Sequence, residues 1–164
     1  AVRLGSVAAL PAYLWFVGAG VALALIDLDV RRLPNAIVLP SYPVLAVLLA
    51  GAAAWQHDWW ALERAAIGAV GLFAFYLSLV LVYPAGMGWG DVKLAGLAGG
   101  VLAFLSWQTF LVGAFAAFLL GAIVGIAVLV SGRGGRRTAL PFGPFMIGGV
   151  LLAVFAAVPL GSFG

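Results

Sequence analysis

Six apolar runs, each close to the thickness of a bilayer, follow one another with only short polar breaks between them. They cover residues 4–26, 36–55, 61–83, 91–105, 108–130 and 144–160, against the roughly 20 residues a helix needs to cross the hydrocarbon core. Apolar side chains run all the way round each segment rather than along one stripe, as expected for helices in lipid. Charge content agrees. Five acids and eight bases among 164 residues cannot cover a soluble globule of this size, where about a quarter of the residues are normally charged. The expected fold is an all-α integral membrane protein, a polytopic bundle of about six transmembrane helices forming one domain over residues 1–164.

The first run is too long for a signal peptide, and no small-residue cleavage site separates it from Asp27. It reads as a true span. With even-numbered spans, Arg31, Arg32, Lys93, Arg133, Arg136 and Arg137 fall on one side, and Arg64 and Arg3 on the other. The excess of bases marks the first side as cytoplasmic and puts both ends of the chain outside. Trp55, Trp59, Trp60 and Trp107 then belong at the outer ends of helices, where an interfacial aromatic belt would lie. Small residues recur at helical spacing, Gly96 with Gly100, Gly121 with Gly125, and Gly68 near Gly71, which predicts close helix–helix packing.

Cysteine is absent and histidine occurs once. That excludes a disulfide framework, a thiol nucleophile, and clusters of thiolate or imidazole metal ligands. The five acids stand out next, each costly near a bilayer centre at about 2.5–3.5 kcal/mol. Asp58 and Glu63 sit with His57 in an outer polar turn and read as solvated loop residues. Asp27, Asp29 and Asp91 lie on the other membrane side, at the end of the first span and the start of the fourth.

Each of these acids also fits a plain role, capping a helix or pairing with an adjacent base. Local sequence argues for more. Gly86, Gly88 and Gly90 give the chain before Asp91 backbone freedom beyond what a cap needs, and Pro34 ends the first helical run just after Asp27. Both acids are expected at breaks in helical backbone, which must line a cavity or water. Two carboxylates held close cannot both ionise. One then keeps a proton while the other draws one from water, which is aspartic protease chemistry. Intramembrane acids at broken helices equally suit an ion- or proton-coupled transporter.

The stretch Asp27 to Pro34-Asn35, the segment Gly88-Trp89-Gly90-Asp91-Val92-Lys93-Leu94, and the later Leu140-Pro141-Phe142-Gly143-Pro144-Phe145 together resemble the type IV prepilin peptidases. These belong with the preflagellin peptidases among membrane aspartic proteases bearing a Gly-x-Gly-Asp signature. The resemblance implies an endopeptidase that removes the short basic leader from pilin-like precursors at the cytoplasmic face of the cell membrane. It places the catalytic aspartates on Asp27 and Asp91, and it implies no cofactor, no metal and no nucleic-acid partner. The expected partners are the precursor, with its basic leader and hydrophobic helix, and membrane lipid.

Asp29 is carried as a helper that positions the leader. Gly88, Trp89, Gly90 and Lys93 are expected at the substrate or in a mobile loop, Trp89 as lid or interface anchor. The Pro141–Pro144 turn is expected to hold the last helix in place. Large bacterial members carry an amino-terminal segment with paired cysteines and also methylate the product. Nothing in residues 1–164 matches that segment, so methyltransferase activity is not expected. Placed at opposite helix ends, Asp91 would be favoured as the anion and Asp27 as the acid, by roughly 0.3–1 kcal/mol each from the helix dipoles.

Overall fold

The structure, a computed structural model, describes residues 2–132 and 141–160, with side chains from 7 to 132 and from 141 to 157. It contains six helices, α1 (Val2–Val30), α2 (Asn35–Gln56), α3 (Trp59–Val82), α4 (Trp89–Leu105), α5 (Trp107–Val130) and α6 (Gly143–Leu160), and no strand among the described residues. The all-α bundle expected from the six runs is what forms. Arg133, Arg136, Arg137 and Leu140 lie outside the described residues, as does the side chain of Arg3.

The connections explain the boundaries. Arg31 turns into the left-handed region (φ 52°) and its N–H closes back on the Asp27 carbonyl, ending α1. Pro34 is extended (φ −70°, ψ 127°) and stands as the N-cap of α2, and its ring disfavours helical angles at Leu33 before it. At the opposite end, His57 takes the left-handed conformation (φ 54°) after α2. Asp58 then caps α3 by accepting the Ala61 N–H at 3.1 Å. Asp58 is therefore a helix cap rather than a merely solvated loop acid.

α4 is the centre of the bundle. Residues from Leu94 to Phe104 are all buried, and α4 touches each of the other five helices, α3 most extensively. This accounts for the short fourth run: at 17 residues, about 26 Å long, α4 is enclosed by protein instead of facing lipid. Four helices are individually long and apolar enough to span a membrane. Their outer faces carry large apolar side chains such as Leu14, Val47, Val70, Leu111 and Phe115, all exposed, which a lipid solvent tolerates and water does not. This is a multi-pass membrane protein.

Close packing of α3 on α4 comes from Gly68 and Gly99. A Cβ at Gly68 would meet the Gly99 carbonyl oxygen at 2.7 Å, and one at Gly99 would collide with Gly68 backbone. The paired glycines read from spacing are thus partly replaced: Gly71 and Gly100 face space or ordinary contact, Gly96 makes room for the Tyr42 ring, and Gly121 for Phe142. Spacing identifies small residues but not which of them face a neighbour.

At the end of the bundle away from Asp27 and Asp91, Arg64 donates to the carbonyls of Ala103, Phe104 and Leu105. It thereby satisfies the last turn of α4 with a cation at the negative end of the dipole. Trp55, Trp59, Trp60 and Trp107 lie exposed at the same end.

Candidate active site

Two carboxylates are buried where the carboxyl end of α1 meets the amino ends of α4 and α6: Asp27, 5% exposed, and Asp91, 8% exposed. Asp91 is the third residue of α4. Its Oδ2 accepts the Gly88 N–H at 3.2 Å, capping α4, while its Oδ1 is buried and has no hydrogen-bond partner. Asp27 lies in the last turn of α1, and its Oδ2 accepts the Gly143 N–H, also at 3.2 Å. Gly143 is the first residue of α6.

One side chain ties the two acids together. Leu33, in the α1–α2 connection, packs against the bare Cα of Gly90, where a Cβ would lie 2.6 Å from the Leu33 Cβ. On its other side it reaches Gly143, where a Cβ would lie 3.6 Å from Leu33 Cδ2 and 2.9 Å from Asp27 Oδ2. Glycine at 90 and 143 lets three chain segments close round the acids. Asp27 and Asp91, 64 residues apart in sequence, end within electrostatic reach of each other.

Several expectations need correction here. Of the two freedoms expected of the glycines at 86, 88 and 90, positive φ and close approach, the first is not used; among the described glycines only Gly132 has positive φ. Their use is close approach, Gly86 against the Tyr83 ring and Gly90 against Leu33, with Gly88 in ordinary extended backbone (φ −83°, ψ 156°). The dipole argument for separating the two acids also fails. Asp27 stands near the carboxyl end of its own helix, yet its carboxylate faces the amino end of α6, so both acids meet positive helix termini. The Pro141–Pro144 turn is more than a brace, because it supplies the Gly143 N–H to Asp27.

The remaining expected residues sit outside the acid pair. Asp29 is exposed, since two residues along a helix is about 200° of rotation away from the Asp27 face. Trp89, the first residue of α4, is 59% exposed. Lys93 donates to Asn35 Oδ1 at 2.8 Å, and its carbonyl accepts the Tyr42 hydroxyl, which joins α4 to α2. A cavity of about 380 Å³ opens nearby among Leu39, Tyr42, Ala69, Phe73 and Gly96, and neither aspartate lines it.

Sequence reading missed Tyr76. It is wholly buried on α3, its hydroxyl has no hydrogen-bond partner, and it lies within electrostatic reach of Asp91. Its ring is held among Phe75, Phe118 and Phe142, with centroids 5.8, 5.5 and 5.8 Å away. Phe142 directly precedes Gly143, so the same turn that holds Asp27 also holds Tyr76.

A bundle of membrane helices that buries two carboxylates at one of its ends defines a multi-pass membrane protein with an acidic site in its interior. Comparison with known proteins is more particular. The type IV leader peptidase family matches residues 14–126, a stretch that includes both Asp27 and Asp91, and the chain belongs to that family.

Among curated relatives, a prepilin leader peptidase/N-methyltransferase of Pseudomonas putida is 36% identical over 126 residues, covering 76% of this chain and 42% of the relative. One of the same name from Bacillus subtilis is 29% identical over 148 residues, covering 90% and 56%. One from Burkholderia pseudomallei is 31% identical over 144 residues, covering 84% and 44%. The chain thus spans about half the length of these relatives. No solved structure matches it. The transporter alternative gains no support from these comparisons.

Proposed function

We propose that this chain is a membrane aspartic endopeptidase that removes the basic leader from pilin-like precursors, with Asp27 and Asp91 as its catalytic pair. The observation that carries the reading is the convergence of two buried carboxylates from α1 and α4, in a chain whose relatives are named prepilin leader peptidases. Two buried acids within electrostatic reach share a proton more readily than they both ionise, and that proton belongs to the pair.

In the proposed cycle Asp91 takes a proton from water through Oδ1, the carboxylate oxygen left free once Oδ2 is committed to the Gly88 N–H. The water oxygen bonds to the scissile carbonyl carbon, and Asp27 gives its proton to the carbonyl oxygen. Collapse of the tetrahedral intermediate breaks the C–N bond, and the amine leaves with a proton returned by the pair. Asp91 as base therefore rests on its free oxygen and no longer on helix dipoles.

Arg31, Arg32 and Lys93 lie at the same end of the bundle as the acids, which supports a cytoplasmic position for the site by the positive-inside rule. The precursor would then arrive with its hydrophobic helix in lipid and its leader in the cytoplasm. Asp29, exposed one half-turn from Asp27, would attract that leader's bases. The proposal extends to leader hydrolysis alone.

The test is incubation of the purified chain, in detergent or vesicles, with a precursor carrying a basic leader and a hydrophobic helix. Cleavage ahead of the helix is expected from the wild type, and none within assay sensitivity from Asp27→Asn or Asp91→Asn. Cleavage by either variant at the wild-type rate would remove the pair from the mechanism.

A further inference from the structure

Buried polar groups are almost always hydrogen-bonded, and each exception asks for a reason. Among the described side chains two stand out, Tyr76 Oη and Asp91 Oδ1. They are complementary. A carboxylate oxygen accepts, a phenol donates, and the two lie within electrostatic reach in one apolar interior. The Tyr76 ring cannot swing away to find another partner, because α3, α5 and the turn before α6 close on it through Phe75, Phe118 and Phe142. Folding alone does not require a hydroxyl here, since phenylalanine would fill the same aromatic cage without burying an unpaired donor.

We propose that Tyr76 is a third catalytic residue whose hydroxyl donates a hydrogen bond to the carbonyl oxygen of the scissile peptide. The proposal rests on the peptidase reading above and adds a group to it. An open acceptor and an open donor within electrostatic reach of each other are the set that hydrolysis of an amide uses. Asp91 Oδ1 receives a proton of the attacking water, and Tyr76 O–H meets the carbonyl oxygen as it gains charge. Tyr76 keeps its proton throughout. The hydrogen bond strengthens as the C=O bond becomes C–O⁻, and the proton finally carried to that oxygen comes from Asp27. A donor placed for the transition state in a dry site contributes more than it would in water. Its burial without a partner is the folding cost of that arrangement.

Tyr76→Phe separates this role from packing. With precursor cleavage as the assay, kcat should fall about 10²-fold, the usual scale for loss of one such donor, while KM stays within about threefold, because the bond matters mainly in the transition state. The Tm in detergent should equal or exceed that of the wild type, since an unpaired hydroxyl is removed from the interior. Wild-type kcat in Tyr76→Phe would overturn the proposal, and so would a loss of activity matched by a lower Tm, which marks the hydroxyl as structural. Asp91→Asn in the same assay distinguishes the levels. If Asp91→Asn is inactive and Tyr76→Phe fully active, the Tyr76 role alone falls; if Asp91→Asn cleaves normally, the acid pair falls and the Tyr76 role with it, and if the wild type does not cleave, the peptidase reading falls.

Discussion

Replacing Gly90 by alanine puts a methyl group where the α1–α2 connection already stands. The new Cβ would lie 2.6 Å from the Leu33 Cβ and 3.2 Å from its Cγ and Cδ1, whereas carbon atoms rest in contact at about 3.5–4.0 Å. A rotamer change cannot relieve this, because a Cβ moves only with its backbone, and the proline that follows keeps Leu33 out of helical angles. The connection and the start of α4 must therefore separate by about 1 Å. Overpacking of this kind costs about 1–3 kcal/mol in stability.

Its effect on rate should be larger. Asp91 is the next residue, and a displacement of about 1 Å at a reacting group costs on the order of 10²-fold. Gly88→Ala is the matched control, since a Cβ there would make only ordinary contacts, with Asp91 Oδ2 at 3.6 Å and the Gly90 nitrogen at 3.9 Å, in backbone open to any residue. Precursor cleavage should fall about 10²-fold in Gly90→Ala and less than about threefold in Gly88→Ala. Leu33→Gly, which deletes the colliding Cβ, should restore part of the activity of Gly90→Ala. Equal, near-wild-type rates for the two alanine variants would refute the reasoning.

Two further predictions concern the scaffold. Arg64→Ala leaves three carbonyls at the end of α4 without their donor and should cost about 2 kcal/mol or more, read as a lower Tm in detergent; an unchanged Tm would show that other groups satisfy that turn. Gly99→Ala forces α3 from α4 and should destabilise by about 1–3 kcal/mol, whereas Gly71→Ala, with nothing within 4 Å of the new methyl, should be neutral; comparable melting of the two variants would contradict the close α3–α4 approach.

What sequence makes legible here is what depends on neighbours along the chain. The six helices, the break at Pro34 and the two acids as the unusual residues of an apolar chain all follow from local composition and backbone restriction. What escapes is set by which faces meet. Tyr76 reads as one more aromatic in an apolar run, because nothing local says that it ends buried within electrostatic reach of Asp91. Gly143 reads as part of a proline turn until α6 is seen to start against α1. Arg64 reads as a loop base on topology alone, since its partners are carbonyls about 40 residues away. The dipole argument at Asp27 fails for the same reason: it counts the helix that carries the residue and not the one that faces it.

The central claim is that Asp27 and Asp91 work as one unit, and the most direct measurement is the cleavage rate of Asp27→Ala, Asp91→Ala and the double variant under identical conditions. Groups that act together are strongly non-additive. Each single variant should lose essentially all the activity that the double variant loses, with equal residual rates in all three. Independent losses that multiply in the double variant, or a single variant within about tenfold of wild type, would contradict a shared proton between them.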